Sequence, residues 1–375
     1  MSEGGREPVE AMRTAGDPPG DVDRTEALRE RLLGNAVGAL ELYTIYLGDR
    51  LGLYRALAES GAATSSQLAA RTGTAERYVR EWLEHHAASG LLVVDDPRAE
   101  PLARRYWLPR EHIPVLADRD DVRYDAHTGV DIVRAGRWLP QLVEAFRVGN
   151  APPPLPWDPE GRAEANRARF INLLGNEWLP AIADVDMRLR AEPSARVLDV
   201  ACGTGWSSIA MAKAYPNITV KGIDLDHYAI SAAHRNAERA EVSDRVTFSV
   251  TDATDLGRAG EYDLVTIFEA LHDMSRPVDA LSAARHMLSE VGTLLVADGL
   301  VADEFTVPAS QRERNEYGWS VVSCLPGAMG DPQTAATGAV MRPSLLRQYA
   351  LQAGFGDVEV LPIHTGYWRF YRLLR

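Results

Sequence analysis

The sequence predicts an α/β chain in which an open, mostly parallel sheet with helices on both faces follows a smaller, mainly helical unit. Three observations predict it. From residue 196 onward, short apolar runs alternate with segments of helical period, the pattern of repeated βα units. The first of these runs passes through a turn with glycines at positions 203 and 205 into a further helical stretch. Residues 25–90, in contrast, carry helical periods throughout and end in a single β-type run.

Residues 1–22 are rich in glycine, proline and scattered charge and read as a disordered tail. From Thr25 a long helix is expected, with an apolar face made by Leu28, Leu32, Leu33, Ala36, Val37, Leu40 and Ile45. Residues 64–73 form a short capped helix stopped by Gly73. Residues 74–90 form a second helix with Thr74 at its cap, and residues 91–94 a strand. Helix, turn, helix, strand is a winged-helix arrangement. Residues 104–185 are less regular, mixing short helical pieces with Trp107, Tyr124, His127, Trp138 and Phe146. They include the proline run 151–156, an extended linker, and a helical stretch over 162–189 whose apolar positions include Phe170, Leu174, Trp178 and Ile182.

In the second half, strands are expected at 196–200, 219–223, 246–250, 262–268 and 292–297. Helices are expected at 206–214, 228–240 and 277–288, and an antiparallel pair of strands at 358–361 and 368–374 closes the sheet. Residues 304–342 form an insertion before that pair.

Composition narrows the function. A net charge of −13, from 40 basic and 53 acidic residues, argues against a surface built for nucleic acid or for an anionic membrane, and favours a small molecule as partner. Residues 64–90 balance three arginines against three glutamates, too little positive charge for a DNA-reading helix. Two cysteines, Cys202 and Cys324, exclude a disulfide framework and suit a cytoplasmic protein. The chain has neither a membrane-length apolar run nor a signal-peptide core at its start. The histidines are scattered and no cysteine–histidine spacing matches a metal cage, so no metal site is expected.

Chemistry concentrates at the turn 201–205. Glycines there admit a ligand against the backbone, and the helix behind presents unpaired N–H groups. The next strand ends in Asp224, where a carboxylate can accept both hydroxyls of a ribose. Asp199, Ala201, Gly203 and Gly205, followed by Asp224, resemble the cofactor motif of the class I S-adenosylmethionine-dependent methyltransferases, with alanine at 201 where those proteins most often carry glycine.

That resemblance implies a Rossmann-like sheet of seven strands and S-adenosylmethionine as cofactor. The cofactor would be held by Asp199, Ala201, Gly203, Gly205, Asp224 and Leu225, by Asp252 and Ala253 at its adenine, and by Phe268 and Glu269 at the end of the fourth strand. His272-Asp273 is similar to the pair that small-molecule O-methyltransferases carry at this place, where the histidine removes the acceptor's proton. Met274 stands where those enzymes usually have tryptophan. The N-terminal module is similar to the dimerisation domain of the same enzymes, which implies a homodimer. Asp49 to Tyr54, Glu81-Trp82 and Tyr367 to Tyr371 extend the resemblance to a group of bacterial, largely actinobacterial, methyltransferases with a winged helix before a class I domain.

The expected division is therefore a tail over 1–22, a winged-helix dimerisation domain over 23–115, a helical linker and substrate-pocket segment over 116–189, and a class I catalytic domain over 190–375. Trp178, Tyr317, Trp319 and Met329 are candidate contacts for a flat acceptor, and Cys324 is read as a wall residue. Methyl transfer to a small organic molecule is the expected reaction, at oxygen before nitrogen or carbon, in secondary metabolism. The alternatives are a cyclisation or rearrangement on the same scaffold, or a winged-helix regulator that senses the cofactor.

Overall fold

The computed structural model describes residues 21–153, 164–257 and 261–375. The expected tail lies outside these residues except at its end, because helix α1 (Asp21–Arg50) begins at Asp21. The expected proline linker falls outside them beyond Pro153.

Helices α1, α2 (Leu53–Ser60), α3 (Ser65–Thr72) and α4 (Glu76–Ala88) build the N-terminal unit with a small wing, in which β1 (Val93–Val94) pairs antiparallel with β2 (Tyr106–Trp107). Thr64 and Gln67 form a reciprocal capping box at α3, as a Thr-x-x-Gln sequence allows. Thr74 does not cap α4. Its hydroxyl bonds that of Thr72 at 2.8 Å, and Ala75 occupies the cap position without a side-chain bond.

Leu53, Tyr54, Leu57, Leu68, Trp82 and Leu83 form the core of this unit, to which Ile45 adds its side chain. Along α1, however, Leu28, Leu32, Leu33, Val37 and Leu40 are 49–67% exposed. The helix 127–136 lies so close against α1 that a Cβ at Gly129 would stand 2.7 Å from the Leu42 carbonyl oxygen. One side of α1 is thus packed within the chain while its apolar stripe faces outward.

The C-terminal half holds a seven-stranded sheet in the order β5-β4-β3-β6-β7-β9-β8, as the resemblance implies. Its members are β3 (Arg196–Val200), β4 (Thr219–Asp224), β5 (Val246–Val250), β6 (Tyr262–Phe268), β7 (Leu288–Gly299), β8 (Asp357–Val360) and β9 (Trp368–Leu374). Strands β3 to β7 run parallel, whereas β9 is antiparallel to both β7 and β8.

The central strands are apolar on both faces because both are covered. Val197, Leu264, Leu295 and Ala297 point into one core with the helices around Leu174 and Ile209. Leu198, Val265, Leu294 and Val296 point into the other, with Leu281 and Leu346. The chain reverses its direction of travel across the sheet between β3 and β6, and the crevice at the carboxyl ends of those strands is where an open α/β sheet takes its ligand.

The stretch 162–189, expected to be helical, forms in its described residues a short α-helical piece, a π-helical segment Phe170–Trp178 and a helix Ala183–Arg190. The Gly175 backbone lies so near the helix Trp206–Ala214 that an added Cβ would sit 2.1 Å from the Ala214 Cβ. Close packing between the two segments, rather than local propensity, accompanies the π geometry.

Candidate active site

The turn after β3 is held in left-handed backbone at three places: Ala201 (φ 57), Gly203 (φ 54) and Gly205 (φ 82). The two glycines differ in what surrounds them. A Cβ at Gly203 would meet nothing within 4 Å, whereas one at Gly205 would stand 2.6 Å from the Phe248 ring and 2.9 Å from the Ala233 Cβ. Gly203 therefore forms an open cradle and Gly205 a close-packed hinge. The Gly203 N–H donates to Asp224 Oδ2 at 2.9 Å, and the Asp226 N–H donates to Oδ1 at 2.9 Å. Each carboxylate oxygen retains acceptor capacity for a ligand hydroxyl.

Asp199 has a different position from a ligand-facing acid. It is 1% exposed and accepts from Ser207 Oγ at 2.5 Å, Ser208 Oγ at 2.6 Å and Thr266 Oγ1 at 2.8 Å. Burial pushes its carboxyl up and the three hydroxyls pull it back. It braces the N-terminus of the helix Trp206–Ala214 from below, where a carboxylate also suits the helix dipole.

Asp252 sits at the end of β5. Its Oδ1 accepts from the Thr254 N–H and hydroxyl, both at 2.8 Å, and the Thr254 N–H is the main cause of its lowered pKa. Its Oδ2 lies 3.6 Å from the Arg276 guanidinium. Leu225, Ala253 and Phe268 stand on the same cavity wall.

The segment after β6 carries the other polar groups. Glu269 adopts φ 50 and lines the cavity, where its carboxylate accepts from Asn166. The surrounding protein desolvates it and raises its pKa. His272 is 6% exposed; its Nδ1 is 2.6 Å from Asp298 Oδ1 and its Nε2 3.4 Å from Asp273 Oδ1. Burial lowers the pKa of the imidazole, but the carboxylates of Asp298 and Asp273 outweigh it and hold the ring well above its ordinary value. Both ring nitrogens therefore face carboxylates, and the charged form is favoured.

These groups line one cavity of about 1190 Å³ between the sheet edge and the N-terminal half. That exceeds the usual volume for one small ligand, about 300–1,000 Å³, and leaves room for a cofactor together with an acceptor. Of the four predicted acceptor contacts, only Trp319 lines it. Trp178 is 3% exposed and buried among aromatics, 5.5 Å from the Trp368 ring and 5.3 Å from Phe370. Tyr317 meets Phe305 edge-on and accepts from Arg342 Nη2 at 3.1 Å, and Met329 closes a turn onto Leu325 outside the cavity wall.

Sequence reasoning missed several wall residues. Asp298, which orients His272 from behind the wall, lies one residue before the end of an apolar strand, so the strand-end rule that found Asp224 would have found it. Asn166, Arg169, Glu316 and Arg276 carry no motif, and Tyr124 and His127 come from the irregular region before the sheet. His127 is largely buried, which lowers its pKa, and its Nδ1 has no hydrogen-bond partner among the described residues. The fold also brings donor atoms of His272, Asp273 and Cys324 within 4.8 Å of one another, a grouping that sequence spacing does not show.

Comparison with known proteins accords with this geometry. A family described as "Methyltransferase domain" matches residues 191–342, and one described as "Rv2258c-like winged HTH domain" matches residues 38–118. Residues 191–342 thus match a methyltransferase domain, preceded by residues that match a winged helix-turn-helix domain. The chain is similar to 27-O-demethylrifamycin SV methyltransferase of Amycolatopsis mediterranei, with 32% identity over 132 residues, 35% of this chain and 48% of the relative. The chain spans about half the length of the curated relatives it matches first.

Solved structures align along nearly the whole chain. Human N-acetylserotonin methyltransferase, in complex with S-adenosylmethionine, superimposes with a TM-score of 0.69 at 16% identity, covering 97% of this chain and 99% of that one. Mitomycin 7-O-methyltransferase MmcR gives 0.65 at 20% identity, covering 94% and 99%. At these identities the likeness establishes the fold.

The site fits S-adenosylmethionine on its own geometry. The open cradle at Gly203, the half-buried Asp224 carboxylate beside it and the apolar wall of Leu225 and Phe268 suit a nucleoside.

Proposed function

We propose that this protein transfers a methyl group from S-adenosylmethionine to a small organic acceptor, with oxygen the first-choice atom, in secondary metabolism. The observation that carries the reading is the single cavity in which the Gly203 cradle and Asp224 lie on one wall and His272 on another. Bound there, the cofactor would supply a methyl group on a sulfonium, which already carries a good leaving group.

The chain's own residues then have four tasks. Asp224 would accept the ribose hydroxyls, and Asp252, the Ala253 N–H and the side chains of Leu225 and Phe268 would hold the adenine. Asp199 and Ala201 set the turn. Trp319 and the wall from Tyr124 and His127 orient the acceptor, and orientation alone supplies much of the acceleration such a transfer needs. His272 takes the acceptor's proton at Nε2, with Asp298 holding Nδ1–H and Asp273 beside it. Because the two carboxylates favour the charged ring, this base becomes available at higher pH than an ordinary histidine.

The exposed stripe of α1 supports a homodimer, since apolar side chains repeated over so many turns of a helix are the pattern of a protein interface. A small-molecule partner is preferred to nucleic acid because the α4 arginines are already paired, Arg77 with Glu81 at 2.5 Å and Arg80 with Glu76 at 3.3 Å. No described helix is long and apolar enough to cross a membrane. A cytoplasmic location is supported by both cysteines being free thiols. The division at about residues 115 and 189 follows the wing and the start of the sheet.

The test is incubation with S-adenosylmethionine and a panel of phenols, amines and activated carbon acids, reading methylated product and S-adenosylhomocysteine together. His272→Asn should keep cofactor binding and lose about 10²-fold or more in turnover. Unchanged turnover would remove His272 from the mechanism. Consumption of the panel without methyl incorporation would favour a cyclisation or rearrangement.

A further inference from the structure

We infer that His272, Asp273 and Cys324 form a binding site for a borderline-soft divalent cation, zinc by preference, at the acceptor end of the cavity. Their donor atoms lie within 4.8 Å of one another, and all three residues line the cavity. Tetrahedral zinc with bonds of about 2.0–2.3 Å places its ligands about 3.3–3.8 Å apart. The His272 Nε2 to Asp273 Oδ1 separation of 3.4 Å already falls in that range, and adjustment of the Cys324 side chain within the same 4.8 Å grouping would complete the triangle.

Two further features support coordination at this place. Asp298, 1% exposed, holds His272 Nδ1 at 2.6 Å, which fixes the ring and directs Nε2 toward Asp273 and Cys324; metal-binding histidines are commonly oriented by a carboxylate in this way. Cys324 is presented at the end of a π-helical turn, Ser320–Cys324, a geometry that re-aims side chains and recurs at functional sites. A thiol, an imidazole and one carboxylate suit zinc, whereas magnesium and calcium favour sites made of oxygen. Three protein ligands facing a cavity leave the fourth position for water or an acceptor oxygen.

The ligands come from two elements, the 3₁₀ turn Leu271–Asp273 behind β6 and the π-helical turn that continues the helix Gln311–Trp319. Occupancy would tie the insertion to the sheet edge and withdraw Nε2 from proton acceptance, making zinc an inhibitor of the proposed reaction. That consequence rests on the methyl-transfer reading, while the binding itself does not.

The experiment titrates the metal-stripped full-length chain with cobalt(II) and then with zinc. One cobalt per chain, with a thiolate charge-transfer band displaced by one equivalent of zinc and unaffected by magnesium, is the expected result. The band should vanish in Cys324→Ser and persist in Cys202→Ser, with circular dichroism confirming that each variant folds. Asp298→Asn should weaken zinc binding by about 10–100-fold. Absence of the band in the unmodified chain, or its persistence in Cys324→Ser, would overturn the inference whether or not methyl transfer is found.

Discussion

Replacing each turn glycine by alanine separates ligand binding from stability. At Gly205 the new Cβ would stand 2.6 Å from the Phe248 ring and 2.9 Å from the Ala233 Cβ, on backbone at φ 82. Left-handed strain costs about 1–2 kcal/mol and overpacking about 1–3, less about 0.4–1 from the reduced freedom of the unfolded chain. The net is a loss of roughly 2–4 kcal/mol.

At Gly203 the methyl meets nothing within 4 Å, and strain less the same unfolded-state gain leaves about 1 kcal/mol. That methyl, however, occupies the cradle, where crowding a bound ligand by about 1–3 kcal/mol weakens affinity by about 5- to 150-fold. Denaturant midpoints at constant m value, combined with calorimetric titration of S-adenosylhomocysteine, measure both quantities. Gly205→Ala should be the less stable variant, and Gly203→Ala the weaker binder relative to its stability. Full-strength binding by Gly203→Ala would refute the assignment of the cradle.

Ala201 holds φ 57 without being glycine, so Ala201→Gly should raise stability by about 0.5 kcal/mol, read as a higher denaturant midpoint. With a metal chelator present, kcat/KM for the acceptor should rise with pH through the elevated pKa of His272. Asp298→Asn should move that limb to lower pH, because the carboxylate that favours the charged ring is removed. The same raised pKa stabilises the fold most fully below the ordinary histidine value of 6.5, a contribution lost as pH rises through the folded-state value; titrated unfolding should show that loss, and Asp298→Asn should reduce it. Leu33→Glu with Leu40→Glu on α1 should convert a dimer to monomer in sedimentation, and a wild-type chain that is monomeric at assay concentration would discard the dimer.

The sheet was legible because its strands obey a simple physical rule. Strands β3 and β6 are buried on both faces, so they read as mainly apolar runs, interrupted by Asp199 in β3 and by Asp263 and Thr266 in β6, and the turn between β3 and its helix requires the glycines that mark it. Asp224 followed from its place at a strand end, and Asp298 could have followed from the same reasoning. Other features were set by tertiary contacts. The π-helical segment Phe170–Trp178 accompanies the close approach of Gly175 to Ala214, which no local pattern announces.

Choosing acceptor contacts by aromatic type failed for Trp178 and Tyr317, because large rings serve the core and an arginine partner as readily as a ligand. The pKa of His272 depends on Asp298, a residue brought beside it only by the pairing of β6 with β7. Cys324 meets the same histidine only because the insertion folds back over the sheet edge.

Calorimetric titration of the protein with S-adenosylmethionine and S-adenosylhomocysteine, alongside Asp224→Ala, decides whether the cavity is a cofactor site. Both ligands should bind at one site per chain, and the variant should lose both while remaining folded by circular dichroism. Failure of the unmodified protein to bind either ligand, or undiminished binding in Asp224→Ala, would contradict a cofactor site there.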